Sequence, residues 1–160
     1  MKEIVLQTTV KVCTLDELGS DDRALVDAAR NAANGSYAPY SRFNVGVALR
    51  LECGTVVTGS NQENAAYPSG LCAERVALFS AGASYPDKAV VTMVIAARNA
   101  NGELSRPISP CGACRQVMLE TENRYKRAMR IILFGTDGCY VIEGGAKALL
   151  PLSFDSDFLS

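Results

Sequence analysis

Cys72-Ala73-Glu74 and Pro110-Cys111-Gly112-Ala113-Cys114 set three thiols and one carboxylate at the starts of two expected helices. The chain has no histidine. That removes the side chain that most readily moves protons near neutral pH, and the commonest imidazole metal ligand. Zinc would then be held by sulfur, and proton transfer falls to a carboxylate. Thiolates bind zinc well, and a catalytic zinc keeps three protein ligands and one open position. Cys111 and Cys114 lie three apart, so one helical turn presents both to a single point. Cys72 must come from a separate helix; the stretch between is long enough for helix, strand and loop. Three thiolates leave the ion with an excess of negative charge and make it a weaker Lewis acid than imidazole ligands would. Two helix N-termini meeting at the sulfurs would offset this, each by about 0.3–1 kcal/mol. Arg75 could add a hydrogen bond to a thiolate.

Glu74 follows Cys72 by two residues. At a helix start this spacing can turn a carboxylate toward the open side of the metal without making it a ligand. There it can take a proton from water and pass it to a substrate nitrogen. Plainer readings stand beside this one. Glu74 could be a first-turn acid that complements the helix dipole. The cysteines could form a structural zinc site, although such sites are normally closed by four protein ligands. A redox C-x-x-C pair would leave Cys72 and Glu74 without a role. Cys13, Cys53 and Cys139 show no paired spacing and read as small apolar residues or inert thiols.

The elements that must position these groups follow from the pattern. Leu25, Val26, Ala29 and Ala33 recur at helical spacing and end at Asn34-Gly35. Residues 43–49 and 55–58 read as a hairpin turning at Glu52-Cys53-Gly54. Residues 61–70 form a polar loop, and a helix runs from Leu71 or Cys72 to Gly82. The continuous apolar runs 89–96 and 131–134 read as strands buried on both faces. A helix lies between them, from Cys111 to about Asn123. A further strand spans 140–142, and a short helix, 146–150, stops at Pro151. Residues 4–12 look like an extended segment suited to a sheet edge. The order α-β-β-α-β-α-β-β-α implies one sheet with helices on its faces.

With 160 residues, 48% of them hydrophobic, the chain fits one domain over 1–160, with 1–15 as a strand-like N-terminal extension. A formal charge of −1 advertises no nucleic-acid or membrane surface. No apolar run reaches the length of a membrane span. The N-terminal apolar stretch is too short for a signal peptide, so a cytoplasmic location is expected, where thiols stay reduced.

Cysteine or histidine, glutamate two residues on, then P-C-x-x-C is the known signature of zinc deaminases. The chain resembles the cytidine deaminases over about residues 20–158. Residues 37–46, Asn61 to Tyr67, Cys72 to Arg75, Pro110 to Gln116, and Leu149-Leu150-Pro151 with Phe154 carry the resemblance. It implies a three-layer α-β-α fold with a mixed central sheet, one zinc per subunit on Cys72, Cys111 and Cys114, and Glu74 as proton shuttle. Phe43 would flank a pyrimidine ring, and Asn61 and Glu63 would bind the ribose 3′-hydroxyl. Backbone groups around Ala73 and Ser109 would read the base edge. Phe154 would reach a neighbouring subunit of a homotetramer. The implied reaction is hydrolytic deamination of cytidine and 2′-deoxycytidine in pyrimidine salvage. A relative acting on an aminated nucleoside antibiotic, one acting on polynucleotide cytosine, and a noncatalytic zinc module are the alternatives. Residues 1–15 and the turn at Glu52-Cys53-Gly54 depart from the family pattern.

Overall fold

The computed structural model describes residues 1–159. The elements run β1 (Lys11–Cys13), α1 (Ser20–Ala32), β2 (Asn44–Leu51), β3 (Val56–Ser60), α2 (Ala73–Ser84), β4 (Val90–Asn99), β5 (Gly102–Glu103), α3 (Gly112–Tyr125), β6 (Arg130–Gly135), β7 (Gly138–Ile142) and α4 (Gly145–Leu149). The sheet order is β1-β7-β6-β4-β2-β3, with β5 paired to β4. Only β4 and β6 pair in parallel among these strands; the other pairs are antiparallel. The parallel pair exists because α3 carries the chain across the sheet between them, as a parallel connection requires.

The expected mixed sheet and three layers are present. Alternation along each central strand builds two cores, because successive side chains point to opposite faces. Met93, Ile95, Ile131 and Leu133 face α2, α3 and α4, together with Ala77, Leu78, Met118, Leu119 and Ala146. Val94, Ala96, Ile132 and Phe134 face Leu25, Val26 and Ala29 of α1. Each fully buried Leu or Ile stabilises the fold by roughly 1.5–3 kcal/mol. The apolar runs at 89–96 and 131–134 are therefore buried on both sides, as their lack of alternation implied.

Two glycines let the site-bearing segments approach the sheet. A Cβ on Gly59 of β3 would lie 2.6 Å from the Ala77 N and 2.9 Å from the Ala73 O. The first turns of α2 thus rest directly on strand backbone. A Cβ on Gly135 would meet the Ser105 O and lie 2.7 Å from the Pro107 N, in the loop that leads to Cys111.

The N-terminal extension differs from expectation. Only Lys11–Cys13 pairs, while residues 1–10 have no regular structure. The reason is the length of the partner. Lys11 already faces Val141, and β7 ends one residue further, at Ile142. Beyond Val10, which stands opposite Ile142, a longer β1 would have no strand to bond. Among the described residues, no helix is long and apolar enough to cross a membrane.

At the end of the sheet away from the cysteine cluster, Asp22 of α1 is paired with Arg50 at 2.9 Å and with Arg130. Burial alone would raise its carboxyl pKa, but the hydrogen bonds from Arg130 and Arg50 outweigh burial and hold it below the usual range. A depressed carboxyl stabilises the fold above its unfolded pKa of about 3.9, and that stability is lost as pH falls through the folded value. Asp22→Asn is expected to lower stability at neutral pH by about 1.5–3 kcal/mol and to make the deficit shrink on acidification below about pH 4. Urea unfolding at several pH values checks this. Gly59→Ala is expected to cost about 1–3 kcal/mol through overpacking, measured in the same way.

Candidate metal centre and adjoining cleft

Cys72 is the N-cap of α2 and Cys111 the N-cap of α3. Cys114 lies in the first turn of α3, fully buried. Both helices start on the same face of the sheet and pack against each other, so the three sulfurs converge within 4.8 Å of one another. Cys72 and Cys111 are 3.9 Å apart, and Cys111 and Cys114 are 3.4 Å apart. Thiolates about 2.3 Å from one tetrahedral zinc stand about 3.8 Å from each other. The spacing fits that ion.

The electrostatics fit it too. The Cys72 thiol is pulled down to about 5, first by a hydrogen bond from the Cys114 thiol, then by Arg75 and Cys111. The same hydrogen bond to Cys72, with burial and the nearby Glu74 carboxylate, pushes the Cys114 thiol up. The cluster therefore already favours at least one thiolate. Arg75 donates from Nη2 to the Cys72 Sγ at 3.8 Å. Its Nε is buried without a hydrogen-bond partner, so the guanidinium is held at the sulfurs against a desolvation cost of about 1–3 kcal/mol. Neither N-cap side chain bonds its own helix, which leaves the helix N-termini, each near +0.5 of a charge, to act on the thiolates.

Glu74 is 5% exposed. Burial raises its carboxyl pKa, and the Cys72 thiolate adds to the rise; its own N–H, the Cys114 thiol and Arg75 oppose it. A carboxyl lifted in this way can hold and release a proton closer to neutral pH than an ordinary glutamate.

Cys72 and Arg75 also line a cleft of about 500 Å³, together with Tyr40, Asn61, Glu63 and Tyr67. Isolated bridges from Tyr37 to Gln62 and from Gln62 to Leu71 hold the loop that bears Asn61 and Glu63. Glu63 accepts hydrogen bonds from the Ser41 hydroxyl and from the N–H groups of Tyr40 (2.9 Å) and Ser41 (3.3 Å). The Ser41 hydroxyl bond is the main cause that holds its carboxyl below the usual range. The Asn61 amide accepts from the Val45 N–H at 2.8 Å and donates to the Phe43 O at 2.9 Å. One N–H and one lone pair of that amide remain for a ligand.

The other expected residues lie in different settings. Phe43 is half-buried and packs on the core beneath α2 and α3. Ala73 is fully buried at the start of α2. Ser109 is exposed, and its hydroxyl accepts from Arg115 at 2.9 Å. Phe154 is 58% exposed and stacks on Phe158 at 5.7 Å, outside the cleft within this chain. The sequence reading gave no role to Tyr40, Tyr67 or Arg115. The two tyrosine rings meet edge to face at 6.1 Å in the wall of the cleft. Arg115 donates to the Pro110 O at 2.8 Å and the Leu149 O at 2.7 Å, which ties the turn before Cys111 to the end of α4. Its place beside the C-x-x-C pair was a usable signal, as was the place of Tyr40 and Tyr67 within segments 37–46 and 61–67 that carry the family resemblance.

The layered sheet and the three-thiolate cluster define a zinc-centred α/β protein. The family model described as "Cytidine and deoxycytidylate deaminase zinc-binding region" matches residues 19–129. A cytidine deaminase of Halalkalibacterium halodurans is 46% identical over 100 residues, 62% of this chain and 71% of that protein. One from Sporosarcina psychrophila is 37% identical over 140 residues, 88% of this chain and 96% of its own length. The crystal structure of cytidine deaminase from Burkholderia pseudomallei is 40% identical, with a TM-score of 0.70, and covers 82% of this chain and 97% of that one. The chain belongs to the cytidine and deoxycytidylate deaminase family.

Elemental analysis of the purified protein is expected to find one zinc per chain. Cys114→Ser is expected to abolish stoichiometric zinc, while Cys53→Ser, at an exposed thiol outside the cluster, leaves it unchanged.

Proposed function

We propose that this protein hydrolytically deaminates cytidine and 2′-deoxycytidine to uridine and 2′-deoxyuridine, releasing ammonia. One observation carries the reading: a buried carboxyl, Glu74, sits against a three-sulfur cluster whose Cys72 also lines a cleft. Zinc held by Cys72, Cys111 and Cys114 would supply a Lewis acid that lowers the pKa of water toward about 7. Glu74 takes the proton of the attacking water and delivers it to N3 of the pyrimidine as oxygen bonds to C4. It then moves the remaining proton from the new C4 hydroxyl to the exocyclic amine as C4=O forms and the C4–N4 bond breaks, and ends in its starting state. Arg75 and the two helix N-termini hold the Cys72 sulfur as thiolate throughout.

The substrate assignments belong to the same proposal. Asn61 and Glu63 take the ribose 3′-hydroxyl, supported by their shared place in the cleft wall and the free valences of the Asn61 amide. A site built to pair a hydroxyl discriminates against ligands that lack one. Phe43 flanks the base, and backbone groups around Ala73 and Ser109 read its edge. Phe154 serves the site of a neighbouring subunit in a homotetramer; its exposure here supports that role. We read 1–160 as one domain that works in the cytoplasm on free nucleosides rather than on nucleic acid or at a membrane.

Ultraviolet-monitored conversion of cytidine tests the reading. Glu74→Gln is expected to lose about 10²–10⁴-fold in turnover with zinc retained. Arg75→Gln is expected to lose about 10–100-fold in activity or zinc affinity. Near-normal turnover in zinc-loaded Glu74→Gln would overturn the mechanism. A zinc-loaded wild type that releases no ammonia from cytidine and ignores a hydrated-pyrimidine analogue would make the site a binding module. Faster turnover of blasticidin or a single-stranded oligonucleotide would reassign the substrate.

A further inference from the structure

Strand β1 brings together two cysteines that the zinc cluster does not use. Cys13 and Cys139 are direct partners in the antiparallel β1–β7 pair. Opposed residues in such a ladder project from the same face, here the face covered by α1. Cys139 is fully buried in that core, and Cys13 packs against it half-buried. Opposed Cα atoms stand about 4.5–5.5 Å apart, within the roughly 4.4–6.8 Å that a disulfide spans.

We infer that Cys13 and Cys139 form a reversible disulfide site that staples the N-terminal extension to the edge of the sheet. Both are free thiols in the structure. The oxidant is a small-molecule disulfide of the glutathione type. The Cys13 thiolate attacks one of its sulfurs, breaks that S–S bond and releases one reduced thiol. The Cys139 thiolate then attacks the Cys13 sulfur, closes the protein S–S bond and releases the second. The two protein thiols give up two protons and two electrons, and one oxidant disulfide becomes two thiols. Access fixes this order, because Cys13 sits at the rim and Cys139 has no exposed surface.

Burial pushes the Cys139 thiol up to about 11. Burial also raises the Cys13 thiol; among the charged groups that face it, Glu17 and Asp22 add to the rise and Arg130 opposes it. Both shifts lower the fraction of thiolate available to attack an oxidant. Once closed, the bond links two points far apart in sequence and so strongly constrains the unfolded chain. It also fixes a three-residue strand over an otherwise open sheet edge. The segment beyond that strand, Leu6 to Thr8, shares a cleft with Leu150 to Leu152 and Phe158 of the C-terminal tail, so the staple anchors that region as well.

The test uses full-length zinc-loaded protein treated with oxidised glutathione, then alkylated, digested and read by mass spectrometry. The expected result is a linked Cys13–Cys139 peptide pair, two hydrogens lighter than its reduced parts, with neither Cys13 nor Cys139 left alkylatable and zinc content unchanged. The melting temperature should rise and return on reduction. Cys13→Ser should remove the linked pair and the thermal shift while leaving basal turnover unaltered. Cys139→Ala should trap Cys13 as the mixed disulfide. Exposed Cys53, whose thiol is lowered chiefly by a hydrogen bond with Thr55, serves as the internal measure of oxidant strength. If Cys53 becomes fully modified while Cys13 and Cys139 both remain alkylatable, the inference is wrong. It is equally wrong if wild-type Cys13 accumulates as the mixed disulfide with Cys139 still free.

Discussion

Three sulfurs within van der Waals reach of one another are the constraint on which the rest depends. Thiols packed together at a protein surface gain little, and thiolates packed together repel. The fold supports the cluster by aiming two helix N-termini and one guanidinium at it. That requires α2 and α3 to begin side by side on one face of the sheet. Backbone contact at Gly59 and Gly135 brings the neighbouring segments close enough. Arg115 completes the arrangement by bonding the carbonyls of Pro110 and Leu149, so the turn before Cys111 is tied to the end of α4.

The cleft beside the cluster is assembled differently. Its polar groups sit on a loop without regular structure, and hydrogen bonds supply the rigidity. Glu63 is braced by Ser41 and Tyr40, and Asn61 clamps the start of β2 through Phe43 and Val45. The residues proposed to touch the sugar therefore also hold the chain, Glu63 at Tyr40 and Ser41 and Asn61 at the start of β2. Loss of either one changes the shape of the cleft as well as its hydrogen bonding, because the same amide or carboxylate serves both ends.

The two ends of the sheet have different tasks. At the cluster end, buried and charged groups are held at a cost in desolvation, as with the orphaned Nε of Arg75. At the other end, Asp22 between Arg50 and Arg130 ties α1 to β2 and β6 and recovers stability. The N-terminal extension adds a short strand to the outer edge at β7, where a sheet is most open to unwanted pairing.

The sequence by itself determined the chemistry and the layers. The absence of histidine removed imidazole as a ligand, the resemblance implied three sulfurs, the Cys111/Cys114 spacing fixed one helical turn, and the apolar runs at 89–96 and 131–134 marked strands buried on both faces. These are local patterns, and backbone periodicity alone translates them into structure. Only the tertiary structure decided what depends on register and on chain ends. It limited the expected 4–12 strand to Lys11–Cys13, because β7 ends one residue beyond the partner of Lys11. It brought Tyr40 and Tyr67 into one cleft, set Phe154 outside that cleft, and aligned Cys13 with Cys139. No spacing rule reaches across so many residues, since such contacts are set by which strands become neighbours once the cores have packed.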